Sequence, residues 1–142
     1  MTQIKPNIWG PHFWKVIHYI AMSYPENPSV YDKEYYKNFY KSIQYVLPCS
    51  NCKSHMQENL KSIPIENYLN NNKDLFKWTV DLHNNVNKVN GKQEISYQNA
   101  YKIYSNNMTS NNTKKENLIL YGIIAIIFLI IVKKYLVKFF MK

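Results

Sequence analysis

The sequence predicts an all-α fold: a four-helix bundle with a short fifth helix, followed by a C-terminal transmembrane helix. Apolar residues recur at helical spacing through the first hundred residues, and strand alternation is weak throughout. The chain has three glycines in all, and one of them lies in an uncharged fifteen-residue run at 118–132. Four to five short helices of this kind make a small bundle.

Each predicted helix is justified by an apolar stripe, and proline or glycine ends most of them. Pro25 stops the first helix, Pro48 ends the second, and Gly91 is a suitable C-cap for the fourth. The fifth is short and closes the domain. The predicted bounds are 10–23, 32–46, 49–60, 72–90 and 96–104.

The C-terminal region predicts a membrane anchor. The run 118–132 is roughly 22 Å long as a helix, short for a hydrocarbon core of about 30 Å, and extension to residue 137 brings it close to spanning length. The alternative is a buried core helix, but a helix that is apolar on every face needs partners all round. The expected organisation is a helical domain at 1–105, a polar tether at 106–117, an anchor at 118–137 and a short basic tail at 138–142.

The net charge of +9 is divided unevenly along the chain. Residues 118–142 hold four lysines and no acids, which leaves the rest at +5, spread out, so nucleic acid is not an expected partner. All 18 basic residues are lysine, which removes bidentate arginine clamps for anions. Positive-inside charge bias and a short C-terminal tail give conflicting orientations for the anchor. The short tail favours a domain that faces the cytosol.

The two cysteines, Cys49 and Cys52, stand three residues apart behind Pro48. A disulfide this short restrains little of the unfolded chain, so the pair indicates a redox couple or half of a metal site. At the predicted start of a helix, free N–H groups and the helix dipole favour a thiolate. The metal alternative is a zinc site completed by His55 and His83, although no second paired motif supports it.

Two helical segments carry histidine beside aromatic or amide side chains. His83 and Asn87 lie one turn apart, a pattern that suits a planar polar ligand, although a solvated helix face is the alternative. Trp14 and His18 have the same spacing, and plain core packing is the alternative there.

Taken together, four motifs resemble the Erv/ALR family of FAD-linked sulfhydryl oxidases. They are W-G-P-x-x-W-x-x-x-H, then Y-P, then P-C-x-x-C-x-x-H, then W-x-x-x-x-H-N-x-V-N-x-x-x-G-K, within residues 9–104. The resemblance implies a four-helix bundle with a short fifth helix and FAD inside it. Pro11 is a departure, because members often have arginine there.

The resemblance also implies residue roles. Cys49 and Cys52 would be catalytic, with Cys49 meeting the substrate and Cys52 next to the flavin. The cofactor contacts would come from Trp14, His18, Tyr24, His55, Trp78, His83, Asn84, Asn87, Lys92 and Tyr104.

The expected function is therefore disulfide formation in protein substrates, with electrons passing through Cys49–Cys52 and FAD to oxygen, giving hydrogen peroxide. Since no second cysteine pair is present, a partner with its own dithiol is expected, a thioredoxin-like protein being a candidate. The resemblance further implies a homodimer, and the resemblance together with an Asn-, Lys-, Tyr- and Ile-rich composition suggests a member from a large DNA virus. The alternative function is a membrane-tethered helical zinc-binding or interaction module, which would be colourless where a flavoprotein is yellow.

Overall fold

A computed structural model describes the backbone of residues 4–140, and their side chains outside 107–116, 129–132 and 134–140. Every regular element in this part of the chain is a helix, so the all-α prediction is confirmed. The elements are α1 at Pro6–Met22, α2 at Val30–Val46, α3 at Ser50–Ser62, a 3₁₀ turn at Ile65–Tyr68, α4 at Asn72–Val89 and α5 at Tyr97–Phe140.

The first two helices begin earlier than the apolar pattern indicated. Pro6 stands in the first turn of α1, where its missing N–H costs nothing, and Pro11 lies inside the helix. Ser29 caps α2 in a reciprocal arrangement: its hydroxyl accepts from Asp32 N–H at 3.1 Å, and its own N–H donates to the Asp32 carboxylate at 2.8 Å. Local capping therefore decides where α2 starts.

The next two helices are also capped by side chains. Cys49 is the N-cap of α3, and its sulfur accepts from Cys52 N–H at 3.2 Å. The Asn71 amide oxygen caps α4 by accepting from Asp74 N–H at 2.9 Å. Gly91 follows the end of α4 with φ of 65°, which confirms the predicted helix stop there.

Helices α1 to α4 pack around one hydrophobic core, whose largest side chains are Trp78, Tyr24 and Tyr40. The polar tips of these rings are satisfied by backbone: Tyr40 donates to the carbonyl of Ile17 at 2.9 Å, and the Trp78 indole donates to Ile63 at 2.8 Å. Burying a large apolar side chain contributes about 1.5–3 kcal/mol, provided that its polar atoms keep partners.

The chain divides into two compact units, Met1–Tyr104 and Ser105–Lys142. The fifth helix was expected to end near Tyr104, but α5 continues to Phe140. Helix formation thus extends through the polar segment expected to act as a tether. Most side chains of that segment, and those of the expected basic tail, lie outside the described residues.

The predicted transmembrane helix at 118–137 is wrong. Among the described residues, no helix combines the length and the apolar character needed to cross a bilayer. The uncharged run 118–132 on which the prediction rested is roughly 22 Å long as a helix, which is short for a hydrocarbon core of about 30 Å. The predicted membrane partner and single-pass membrane localisation depended on this helix, and they fall with it.

Candidate active site

Four rings from three helices meet at the inner faces of α1 and α4, and we call this set the aromatic cluster: Trp14, His18, His83 and Tyr104. Trp14 stacks on His83 with ring centroids 4.0 Å apart and an interplanar angle of 7°. His18 lies one turn after Trp14, 5.4 Å from His83 and 4.4 Å from Tyr104. The Trp14–His18 pair noted in the sequence therefore meets His83, the first member of the other i, i+4 pair.

A line of hydrogen bonds runs through the cluster. The Thr79 hydroxyl donates to the carbonyl of Phe76 at 2.7 Å, and the same oxygen lies 2.9 Å from Nδ1 of His18. Nε2 of His18 then lies 3.1 Å from Nδ1 of His83. Thr79 is fully buried and His18 is 1% exposed, so these contacts form without competition from water.

Burial keeps both histidines neutral at physiological pH. Desolvation, with a smaller repulsion from His83, lowers the pKa of His18 from 6.5 to about 3. Desolvation, with a smaller repulsion from the Lys92 ammonium, lowers the pKa of His83 from 6.5 to about 4. The cluster consequently offers uncharged ring nitrogens, with Lys92 as a cation near His83.

The C-terminal end of α4 holds the loop that follows it. The Asn84 amide nitrogen donates to the Ile95 carbonyl, and the Asn84 amide oxygen accepts from Ile95 N–H, both at 2.9 Å. Lys92 N–H donates to the Asn87 carbonyl at 2.8 Å, and the Asn87 side chain donates to Gln93 at 3.4 Å. Asn84 thus pairs with the loop backbone, which keeps Lys92 close to α4.

The two cysteines form a disulfide with each other. Both are half-buried, and Cys52 packs against the hydrophobic core. Pairing removes both thiolates as metal ligands, and no group of three or more metal-ligating side chains occurs in the described part of the chain. The zinc alternative therefore has no ligand set among those residues.

Three residues expected to contact a cofactor are placed elsewhere. Tyr24 and Trp78 are buried, with the Tyr24 hydroxyl donating to Leu69 at 3.1 Å and the Trp78 indole occupied by its carbonyl partner. His55 is exposed, and no contact within the described residues joins it to the aromatic cluster. Tyr24 and Trp78 therefore belong to the hydrophobic core, and His55 lies on the surface.

Sequence reasoning missed two members of the site, Thr79 and Phe76. Thr79 precedes His83 by four residues, so a helical projection of α4 would have placed the two on one face. Phe76 lies 5.6 Å from His18 and 6.3 Å from Tyr104, at the edge of the aromatic cluster.

A groove of about 670 Å³ extends from Phe76 along the first turns of α4 and α5. The buried amide oxygen of Asn72 in its wall has no hydrogen-bond partner among the described residues. An unpaired buried acceptor is costly, so this atom is available to a donor that enters the groove. The groove is lined by Met22, Asn72, Lys73, Phe76, Lys77, Tyr97, Gln98 and Tyr101.

Comparison with known proteins finds a family model and curated relatives that match the chain. The model of the Erv1 / Alr family matches residues 11–115. A probable FAD-linked sulfhydryl oxidase of Acanthamoeba polyphaga mimivirus is 36% identical over 115 residues, 80% of each chain. A putative FAD-linked sulfhydryl oxidase of Invertebrate iridescent virus 6 is 39% identical over 97 residues, 65% of this chain and 87% of the relative.

A third viral relative and two solved structures agree with this result. An FAD-linked sulfhydryl oxidase of African swine fever virus is 35% identical over 102 residues, 68% of this chain and 79% of the relative. The yeast Erv1 core superposes with a TM-score of 0.67 at 22% identity, over 73% of this chain and 86% of that one. The FAD binding domain of Erv1 from Saccharomyces cerevisiae gives 0.67 at 22% identity, over 72% and 95%.

Proposed function

The chain belongs to the Erv1/Alr family, and we propose on this basis how its residues carry out FAD-dependent thiol oxidation. It is a thiol oxidase that uses FAD, as its viral relatives are named. The observation that carries the proposal is the Cys49–Cys52 disulfide at the start of α3, in a chain that also assembles the aromatic cluster.

The aromatic cluster has the chemistry that FAD requires. Trp14 and Tyr104 supply flat aromatic faces, and Nε2 of His83 supplies a ring nitrogen that the contacts within the cluster do not use. Lys92 is the cation near this set, and lysine serves phosphate as a point charge. The unpaired Asn72 oxygen adds an acceptor beside Phe76. We infer that Trp14, His18, His83, Asn87, Lys92 and Tyr104 hold the cofactor.

The disulfide undergoes exchange with a substrate dithiol. One substrate thiolate attacks the Cys49 sulfur, the Cys49–Cys52 bond breaks, and Cys52 leaves as a thiolate. The second substrate thiolate attacks the substrate sulfur of the mixed disulfide and releases Cys49 as a thiolate. The substrate has then lost two protons and two electrons, and the cysteine pair holds the electrons.

The start of α3 favours both thiolates. The Cys52 N–H already points at the Cys49 sulfur, and the positive end of the helix dipole lies at the same place. Cys52 packs inward while Cys49 caps the helix end, which suits Cys49 as the sulfur that substrate attacks. When bound, FAD supplies the transfer of two electrons from the reduced pair to oxygen, which gives hydrogen peroxide.

The substrate is a protein that brings its own dithiol to Cys49. These 142 residues contain no other cysteine, so no second pair within them can relay electrons. We propose a small thioredoxin-like protein as a partner of suitable chemistry, because its dithiol is exposed and reactive.

We further propose a homodimer built on α1 and α2. Their outer faces carry a set of exposed large apolar side chains, a feature typical of interaction surfaces. Sedimentation of the full chain tests this, and a monomer at all concentrations would contradict it. The set comprises Ile8, Val16, Val30, Tyr31, Tyr35, Phe39, Tyr45 and Val46.

Purification of the full chain tests the function directly. We expect a yellow protein that oxidises dithiothreitol, consumes oxygen and releases hydrogen peroxide in equal amounts. In Cys52→Ser the Cys49 thiolate should attack the disulfide of an oxidised protein partner and hold that partner as a mixed disulfide, the second partner sulfur leaving as a thiolate, whereas Cys49→Ser should trap none. A colourless, zinc-loaded protein would instead favour the non-enzymatic module.

A further inference from the structure

Building on the proposed function, we propose that Thr79 is a positioning residue that sets the tautomers of His18 and His83. In this arrangement Nε2 of His83 is a hydrogen-bond acceptor, and it recognises an N–H or O–H group of the bound FAD. Three hydrogen bonds and one ring stack across α1 and α4 lead from the Phe76 carbonyl to His83.

The series of hydrogen bonds begins at the backbone carbonyl of Phe76, which can only accept a hydrogen bond. The Thr79 hydroxyl lies 2.7 Å from the carbonyl oxygen of Phe76, so the single hydroxyl hydrogen must lie between them. The Thr79 oxygen is then an acceptor toward any other neighbour. Its other neighbour is Nδ1 of His18, at 2.9 Å.

The carbonyl therefore determines the proton on His18. Nδ1 of His18 must carry hydrogen to donate to Thr79, and a neutral imidazole carries one hydrogen. The pKa of about 3 for His18 agrees with a neutral ring. Nε2 of His18 consequently carries no hydrogen, and it accepts a hydrogen bond from the group that faces it.

The atom opposite is Nδ1 of His83, at 3.1 Å, which must therefore carry the hydrogen of that ring. Nε2 of His83 is left with a lone pair, and no group in the described part of the chain donates to it. Protonation at this nitrogen is disfavoured by burial and by the Lys92 ammonium. Stacking on Trp14 fixes the plane in which the lone pair points.

This acceptor discriminates among the polar groups of FAD. The adenine amino group, the sugar and ribityl hydroxyls and the flavin N3–H can donate to it. The phosphate oxygens and flavin carbonyls cannot, since two acceptors would face each other. Thr79 thus acts on the ligand through two other side chains without touching it.

Nitrogen-15 NMR of the full chain tests the assignment, because long-range couplings distinguish the two neutral tautomers of each histidine. We expect His18 and His83 both to carry hydrogen on Nδ1, and His83 to keep that tautomer when FAD binds. A His83 that carries hydrogen on Nε2, or that is doubly protonated with FAD bound, would overturn the proposal.

A pair of variants tests the part played by Thr79. Thr79→Val keeps the shape and removes the hydroxyl, so His18 loses its fixed partner and both tautomers should redistribute. FAD should then bind about tenfold more weakly, as expected for one misaligned hydrogen bond. Thr79→Ser restores the hydroxyl and should restore both the tautomers and the affinity. Unchanged tautomers in folded Thr79→Val would refute a role for Thr79.

Failure of this inference and failure of the proposed function give different results. If Thr79→Val does not fold, the spectrum of the unaltered chain still decides the order of the hydrogen bonds. FAD content reports on the proposed function, and the His83 tautomer reports on the inference. A yellow, active protein with the opposite His83 tautomer would reject the inference and leave thiol oxidation standing.

Discussion

The aromatic cluster and the cysteine pair are supported in different ways. In the cluster, side chains hold one another. His18 forms hydrogen bonds with Thr79 and with His83, and Trp14 stacks on His83. The cysteine pair is held by backbone, because Cys49 caps α3 and accepts the N–H of Cys52. The cluster is therefore held by contacts between side chains around the buried His18, whereas the half-buried sulfurs are held at a helix end.

Under the proposed function, this difference separates cofactor binding at the aromatic cluster from thiol exchange at the cysteines. A cofactor site benefits from fixed, buried, neutral groups, since each group then needs no rearrangement when the ligand enters. A sulfur that exchanges with another protein needs access and a stabilised thiolate, which a helix N-terminus supplies. Changes at the two places should consequently alter different measurements.

The largest effect is expected at the cysteines. Cys49→Ser and Cys52→Ser should each reduce thiol oxidation to the background rate, while flavin content and melting temperature stay unchanged. Turnover with dithiothreitol and flavin absorbance measure the two properties. Ser54→Ala, an exposed change on the same helix, is the control and should remain active. Loss of FAD from either cysteine variant would contradict the separation.

A change within the aromatic cluster should alter FAD binding and melting temperature, the two properties that the cysteine variants leave unchanged. His83→Ala should weaken FAD retention and lower the melting temperature together, because losing a ligand present at a hundredfold excess over its Kd removes about 2.7 kcal/mol of stability. His55→Ala is a matched control, because His55 is exposed and apart from the cluster. Should His55→Ala lose as much FAD as His83→Ala, this assignment of the site would be wrong.

Acid should destabilise the cluster before it affects the carboxylates. Since the folded pKa values of His18 and His83 are lowered to about 3 and 4, the unfolded chain binds more protons below pH 6.5. Stability should therefore fall as pH decreases from about 6.5 to 4, by a few kcal/mol at about 1.4 kcal/mol per pKa unit.

Urea unfolding at a series of pH values between 7.5 and 4 measures this loss. Asp32 and Glu66 also have lowered pKa values, but their contribution is present above 3.8 and 4.5 and is lost below those values. A decline that begins above pH 5 therefore reports on the histidines. A flat profile down to pH 5 would show that neither histidine is kept neutral by folding.

A smaller effect is expected where α4 holds its loop. Asn84→Ala removes both hydrogen bonds to Ile95, which should cost about 1–2 kcal/mol and weaken FAD binding through Lys92. Asn90→Ala removes one exposed bond to Val86 and is the control. Equal FAD affinity in Asn84→Ala and the unaltered chain would show that the loop needs no such support.

The smallest effect is expected from the C-terminal unit. A chain that ends at Asn106 keeps the whole unit Met1–Tyr104, including every residue of the aromatic cluster. Its flavin content and its turnover with dithiothreitol should match those of the full chain within about twofold, since no motif lies beyond Tyr104. A flavin-free product would place part of the cofactor site after residue 106.

Local signals in the sequence determined much of the fold. Prolines, Gly91 and the apolar stripes gave the helices and their order, because helix caps and periodicity act over a few residues. The predicted helix starts were less accurate. With its Ser29–Asp32 cap, α2 begins two residues earlier than predicted, and α1 begins four residues earlier, at Pro6. The apolar run at 118–132 misled because its uncharged length, roughly 22 Å as a helix, is short for a bilayer core of about 30 Å.

The sequence by itself determined the chemistry of the cysteine pair, since Cys49 and Cys52 are neighbours along the chain and their helix position follows from Pro48. It also identified Trp14, His18 and His83 as candidates, through spacing within each helix. Only the tertiary structure decided that these rings meet, and that Asn84 pairs with a loop. His18 and Thr79 are 61 residues apart, and no local rule predicts a hydrogen bond at that separation. Packing of α1 against α4 brings them within hydrogen-bond distance, and burial lowers the pKa of His18.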